Sequence, residues 1–342
     1  MEKYIGKCLD SLLIPEFDQV EVLVINDGSK DRSSEIAHQY AQQYPNSIFV
    51  IDKPNGNYGS CINTALPKCS GRYVKILDAD DTFENKAFSQ FVALLATTDA
   101  DVVVTPYLNV NSVGLITRKD DIDFPGIDLY RIYRIEDVDN RVLVKASAMH
   151  RLAYKTDIFK RFEYHQTEGV SYTDNQWDKI PMSFAASILV TDIYLYRYLL
   201  GREGQTMDPK QRSKSIGHII IIARDMVSMY EKIGRKAPLH DFLFDRIVHF
   251  AVTPFYMSIE KGKAEDMKQL CAYDEFLKLH HNTFFRALEM MPYTENCSFA
   301  FIKDIRLKKY PEDYKIPFLI RAKMAINDRI QHFIAHKEGR RE

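Results

Sequence analysis

Apolar positions in the first hundred residues follow two rhythms that take turns. Tyr4, Ile5, Cys8, Leu9, Leu12 and Leu13 recur at helical spacing and predict a helix over 1–13. EVLVIND (21–27) is a continuous run ending in polar residues, the pattern of a strand covered on both faces. In GSKDRSSEIAHQYAQQY the positions Ile36, Ala37, Tyr40, Ala41 and Tyr44 share one helix face; Ser29 or Asp31 is the candidate N-cap, and Pro45 lies just past the end. SIFVID reads as a strand, NGNYGSC as a turn-rich loop, and INTALPKC as a short helix. YVKILDADD is a strand, NKAFSQFVALLAT a helix and ADVVVTPYLNV a strand.

Strands and helices that alternate at such short intervals predict an α/β fold with a mostly parallel sheet flanked by helices. Ligands of such sheets bind beyond the carboxyl ends of the strands. Polar groups gather at those ends: Asn26 and Asp27 after EVLVI, and Asp78, Asp80 and Asp81 after YVKIL. The pattern loosens between 110 and 205 and turns helical beyond about 210, in IIIIARDMVSMYEKI, APLHDFLFDRIVHFAV and AEDMKQLCAYDEFLKLH. A catalytic domain over 1–208 and a helical C-terminal region over 209–342 are expected.

Composition narrows the function class. The 342 residues are 46% hydrophobic and 27% charged, with a formal net charge of -1, so no global field draws the chain onto nucleic acid. Five scattered cysteines without zinc-ligand spacing fit a reduced, cytoplasmic setting. The first residues lack the apolar core of a signal peptide, and no apolar run reaches the ~18 residues that span a bilayer. In 303–342, eleven Lys and Arg against six Asp and Glu leave +5. IPFLIRAKMAINDRIQHFIAHK mixes that charge with apolar residues at helical spacing. It suits either a helix packed on the catalytic domain or peripheral contact with the inner face of an anionic membrane.

Three carboxylates at one strand end repel one another unless something positive stands between them. A hard divalent cation, Mn²⁺ or Mg²⁺, held by Asp78, Asp80 and Asp81 together with substrate phosphates, meets that need. Asp78, Asp80 and Thr82 also fit the D-x-D-x-T of haloacid-dehalogenase-type phosphatases, although no GDxxxD follows downstream. A third reading makes the cluster a cap for the helix starting near Asn85.

The order EKYIGKCLDSLL, VLVINDGSKDRSSEIA, NGNYGSCINTAL, GRYVKILDADD resembles the bacterial GT-A glycosyltransferases of family 2 over roughly residues 1–205. The resemblance implies inverting transfer from a nucleotide sugar, usually a UDP-sugar. It matches Asp27 to the aspartate that binds the donor base or ribose, Asp78 to the first and Asp80 to the second Asp of DxD, and leaves Asp81 as an added acceptor. It places Gly59 and Asn63 in the family's donor loop. In GVSYTDNQW, Asp174 matches the base that takes the acceptor proton, with Thr173 where a Glu often stands; Asp174 also suits a helix N-cap. YRYLLGREGQT resembles the segment that closes over the donor diphosphate, which brings in Arg202 and Gln205. His150 is a candidate for the acceptor side. Q-x-x-R-W is absent, so one sugar is expected to pass to a glycan or lipid-linked acceptor in cell-surface polysaccharide synthesis, without polymerisation. A nucleotide-sugar-binding relative without activity is the second expectation. Family members begin with an apolar strand before the segment matching EKYIGKCL, so a shortened start is expected here.

Overall fold

The predicted alternation is present in the computed structural model, which describes residues 1–121, 124–202, 216–261, 264–293, 299–311, 314–317 and 320. Helix α1 (Ile5–Asp10) leads to strand β1 (Val22–Asp27), α2 (Ser33–Gln43), β2 (Ile48–Lys53) and α3 (Asn57–Ala65). β3 (Tyr73–Val74), β4 (Thr82–Phe83), α4 (Asn85–Thr97), β5 (Val102–Val104), β6 (Tyr107–Val110), β7 (Ile116–Asp120) and β8 (Ile132–Arg134) follow. α5 (Asn140–Ala146), β9 (Leu152–Lys155), α6 (Asp174–Ser183), β10 (Ser187–Val190) and β11 (Tyr196–Leu199) complete this part.

The strands form three sheets among the described residues: β1-β2, β3-β9-β5-β10-β8 and β4-β11-β6-β7. β1 with β2, β5 with β10, and β6 with β11 run parallel. β3 and β5 meet β9 antiparallel, as do β10 with β8, β11 with β4, and β6 with β7. The architecture is therefore mixed rather than mostly parallel. The returning strands β7, β8 and β9 come from 110–155, where the sequence pattern loses its alternation. The deepest core lies on β5, β9 and β10, whose Val102–Val104, Leu152–Tyr154 and Ile188–Val190 are all buried. α6 closes over it through Trp177, which stacks on Phe159 and meets Tyr154 edge-on.

Two departures from the expected elements bear on the site. NGNYGSC is not a loop: α3 already starts at Asn57, so Gly59 is helical and buried. YVKIL is a strand only at Tyr73–Val74, which pair with β9, while Lys75–Asp78 run on outside any ladder. β1 likewise has one partner, β2, and all its residues are half-buried, although its sequence is that of a strand covered on both faces. Between β1 and the Tyr73–Asp78 run lies a cavity of about 670 Å³.

The chain divides into two compact units. One comprises Met1–Arg212 and Tyr230–Phe244; the other, Ser213–Met229 and Asp245–Glu342. In the second unit, helices Ala264–His280 and Phe301–Leu307 are tied by Arg306, whose Nε and Nη2 donate to Asp274 at 2.8 and 2.6 Å. Among the described residues, no helix is long and apolar enough to cross a membrane. Most of the basic segment IPFLIRAKMAINDRIQHFIAHK lies outside the described residues.

Candidate active site

The Tyr73–Asp78 run ends in a turn in which the Asp81 N–H donates to the Asp78 carbonyl at 2.9 Å. Carboxylate oxygens of Asp78, Asp80 and Asp81 lie within 4.8 Å of one another. β11 holds this turn from the side. The Tyr196 hydroxyl donates to Asp81 Oδ2 at 2.7 Å and accepts from the Asp78 N–H at 3.2 Å, while the Leu199 N–H donates to Asp81 Oδ1 at 2.7 Å. Asp81 is 1% exposed. With both oxygens engaged it pegs the turn, and it stays within the cluster of three carboxylates expected to hold a cation. Asp80 Oδ2 accepts from Arg202 Nε at 2.5 Å.

The cluster carries electrostatic stress. Burial, then the charges of Asp81, Asp80 and Asp174, push the Asp78 carboxyl well up, and Arg202 offsets part of this. Burial pushes Asp81 up to about 7, against the pull of its bonds from Leu199 and Tyr196. Hard oxygen donors that resist ionisation unless a positive charge joins them are the donor set a divalent cation takes, so the residues present fit one, with Asp78, Asp80 and Asp81 as candidate holders.

Asp27 ends β1. Its Oδ1 accepts from Lys53 Nζ at 2.6 Å and the Gly56 N–H at 2.9 Å, and its Oδ2 from Asn55 Nδ2 at 3.0 Å. Lys53 and Asn55 escaped the sequence reading. Their signal was parallel pairing of β1 with β2, which sets Lys53 opposite Asp27. Asp27 and Asp78 border the same cavity.

Asp174 is the first residue of α6, after Thr173 at the N-cap. Its carboxyl is pushed up by burial, and its charge helps to raise Asp78. Asp178, one turn further on, is also buried and pushed up to about 7 by burial. The His150 ring packs among Tyr107, Tyr196 and Tyr198, with centroids 5.1, 4.8 and 4.2 Å away, and burial lowers its pKa to about 3. It is a neutral aromatic spacer behind the acidic turn.

Residues 1–159 match Glycosyl transferase family 2. They form a family 2 glycosyltransferase domain. The glycosyltransferase GlyA of Streptococcus pneumoniae is 32% identical over 284 residues, 81% of this chain and 39% of that protein. The poly(ribitol-phosphate) beta-glucosyltransferase of Bacillus spizizenii is 26% identical over 212 residues, 60% of this chain and 32% of that one. The chain thus spans between about a third and two-fifths of these relatives' lengths. Among solved structures, S. aureus TarS 1-349 in complex with UDP-GlcNAc aligns with a TM-score of 0.59 at 20% identity, over 89% of this chain and 85% of that one. That likeness gives the fold as GT-A.

Two residues matched to the family's donor loop lie in α3 and contact the 166–168 segment. Gly59 packs α3 onto the 166–168 segment: a Cβ there would lie 2.1 Å from the Thr167 carbonyl oxygen. Asn63 spends its amide on the same segment. Its Nδ2 donates to the Gln166 carbonyl at 2.9 Å and to Glu168 at 2.8 Å, and its Oδ1 accepts from the Gln166 N–H at 2.9 Å. Both join α3 to the approach to α6, and at Gly59 the run NGNYGSC disguises the helix as a turn. Gln205 lies outside the described residues.

Proposed function

We propose that the protein is a metal-dependent, inverting, non-processive glycosyltransferase that moves a sugar from a UDP-sugar to a hydroxyl of a glycan or lipid-linked acceptor. The observation that carries the reading is the meeting of Asp78, Asp80 and Asp81 within 4.8 Å, with Arg202 bonded to Asp80. The acceptor class leans on the names of relatives such as the poly(ribitol-phosphate) beta-glucosyltransferase.

In this reading Asp27 accepts from the base or ribose of the donor; a carboxylate has lone pairs to spare beyond its three present partners. Asp78 and Asp80 hold the cation. A divalent cation, when bound, screens the charge that gathers on the departing diphosphate. Arg202 exchanges its contact with Asp80 for a diphosphate oxygen, to which a guanidinium binds well. Asp174 takes the proton of the acceptor hydroxyl as its oxygen bonds to the anomeric carbon. The bond from that carbon to the diphosphate breaks, and its electron pair leaves with UDP. General-base help of this kind is worth ~10²–10⁴-fold. The raised affinity of Asp174 for a proton suits a group that must receive one. The protein would work at the cytoplasmic side of the cell, where nucleotide sugars and lipid-linked acceptors meet.

A thermal-shift screen with UDP, GDP and CDP, each with and without Mn²⁺, tests the reading. Stabilisation by UDP that requires Mn²⁺ is expected. Stabilisation by no nucleotide under either condition would sink it.

A further inference from the structure

Lys75 stands where a ladder stops. β3 pairs antiparallel with β9, Tyr73 opposite Lys155 and Val74 opposite Tyr154. Continued in that register, the run would set Ile76 opposite Leu152, the first residue of β9, and Asp78 opposite His150. Backbone groups along a strand turn to alternate edges. The Lys155 N–H donates to the Asp101 carbonyl on the β5 side, and the Thr156 N–H to the Arg72 carbonyl on the β3 side. By that alternation Leu152 turns its carbonyl to the β3 side, where a ladder would bring the Ile76 N–H. The carbonyl accepts from Lys75 Nζ instead, at 3.2 Å, and the His150 carbonyl accepts from the same ammonium at 2.9 Å. A side chain has taken over the part of a strand's N–H.

The exchange decides where residues 76–78 go. A ladder would hold Asp78 beside His150, in line with β9. The ammonium, on a flexible four-carbon stem, anchors the run to the 150–152 corner and lets its backbone turn away. The Asp78 N–H then reaches the Tyr196 hydroxyl on β11, in a different sheet, at 3.2 Å. Lys75 Nζ lies 5.8 Å from the centroid of the Tyr196 ring, and the His150 ring meets that ring edge-on at 4.8 Å. Lys75 thus fixes the chain entering the acidic turn, Tyr196 fixes the chain within it, and the two supports share His150. Packing alone does not account for the residue. Its partners are carbonyls, and no carboxylate pairs with it among the described residues. Taking a cation out of water without such a partner opposes folding.

We propose that Lys75 is a positioning residue for the cation site: by bonding the His150 and Leu152 carbonyls in place of a ladder, it sets the course of residues 76–78 and so the place of the Asp78 carboxylate in the acidic cluster. The three carboxylates it helps to gather lie within 4.8 Å of one another. Lys75 acts through Asp78 and is distinct from the residues that would hold the cation. Without it the carboxylates stay present in a folded chain and lose their spacing, which is how supports behind a ligand set govern metal affinity. The inference rests on the metal reading proposed above.

Titration of the full chain with Mn²⁺, read by electron paramagnetic resonance of the unbound ion, tests it. Lys75→Met keeps the length of the side chain and removes its donors; Lys75→Arg keeps charged donors. Tyr73→Phe is the control for a purely structural lesion on the same strand, since it removes hydroxyl bonds to the Thr98 and Ala100 carbonyls at 3.3 and 2.7 Å. All are compared at a temperature where circular dichroism shows them folded. Lys75→Met is expected to weaken Mn²⁺ binding by about ten-fold or more. Lys75→Arg loses less than Lys75→Met, and Tyr73→Phe binds as the parent does although it is less stable. If Lys75→Met does not fold, Lys75→Gln, with one shorter uncharged amide, replaces it and is expected to weaken binding in the same direction. Parent affinity in the folded Met or Gln variant overturns the inference and leaves the metal reading standing. So does an equal loss in Tyr73→Phe. A parent that binds no Mn²⁺ removes the metal reading, and this inference with it.

Discussion

Gly59→Ala is the sharpest probe of the seam between α3 and α6. Alanine in a helix interior is ordinarily favoured over glycine by about 1 kcal/mol. Here the added Cβ would stand 2.1 Å from the Thr167 carbonyl oxygen, 3.0 Å from its carbonyl carbon and 3.1 Å from Gln166 Cβ. Ordinary contact begins at 3.4 Å, so α3 and the 166–168 backbone must part by the difference, about 1.3 Å. No flexible side chain can absorb that, because the obstacle is backbone. A shift of this size also stretches the Asn63 bonds to Gln166 and Glu168, now 2.8 to 2.9 Å long. Overpacking costs ~1–3 kcal/mol and a weakened buried hydrogen bond ~1 kcal/mol, against the ~1 kcal/mol gained in propensity. A net loss of about 2 kcal/mol follows. Urea unfolding followed by circular dichroism reads it as a lower midpoint. Gly217→Ala, whose nearest obstacle is Gln269 Oε1 at 3.7 Å, serves as the control and should be neutral or stabilising. If Gly59→Ala matches the parent or exceeds its midpoint, the close approach of α3 to Thr167 is wrong.

Four further outcomes are expected. Asp174→Asn keeps Mn²⁺-dependent UDP binding by calorimetry but loses sugar transfer by at least ~10²-fold; in the parent, transfer falls as pH drops through the raised Asp174 pKa, because the base is then already protonated. Arg202→Ala weakens UDP binding by about ten-fold or more through loss of a charge-assisted contact, read in the same titration. Tyr196→Phe removes the hydroxyl shared by the Asp78 N–H and Asp81, and lowers stability by ~1–3 kcal/mol in denaturant titration. Lys75 donates to the His150 and Leu152 carbonyls at 2.9 and 3.2 Å, and burial lowers its pKa to about 7. Folding thus lowers its proton affinity: stability rises with pH from about 7 towards the unfolded value near 10.4, and falls again as pH drops back. Lys75→Met should flatten that rise by up to ~1.4 kcal/mol per pH unit, and an unchanged slope would refute the assignment.

What the sequence disclosed was whatever a local rhythm controls. α4 spans Asn85–Thr97, as NKAFSQFVALLAT indicates, and β1 and β2 match their apolar runs within a residue or so. The acidic turn was visible as a strand end. Its supports were not: Tyr196 and Leu199 reach Asp81 from more than a hundred residues away, and Lys53 meets Asp27 only through pairing of β1 with β2. Gly59 misled in the opposite way. In NGNYGSC its residue type signals a turn when read locally, yet it lies inside α3, packed against Thr167 and Gln166. YVKIL has the composition of a strand throughout, yet it is a strand only where it pairs with β9, and that pairing stops at Val74 although β9 runs on to Leu152.

The acidic turn shows why a site can be legible while its architecture is not. Burying three carboxylates together opposes folding, since burial and mutual repulsion raise Asp78 and Asp81. Such an arrangement persists only if the surroundings hold it in place. Here the restraint is divided: Asp81 is fixed by Tyr196 and the Leu199 N–H, and Asp80 by Arg202. Only the second restraint is an ion pair with a side chain that can turn to another anion. Exchange at Asp80 therefore leaves the peg at Asp81 intact, so in the proposed reading a cation and a diphosphate would enter without dismantling the turn. Three aspartates chosen only to cap α4 would need no such division, and Glu84 already fills that role by accepting from the Ala87 N–H at 2.7 Å.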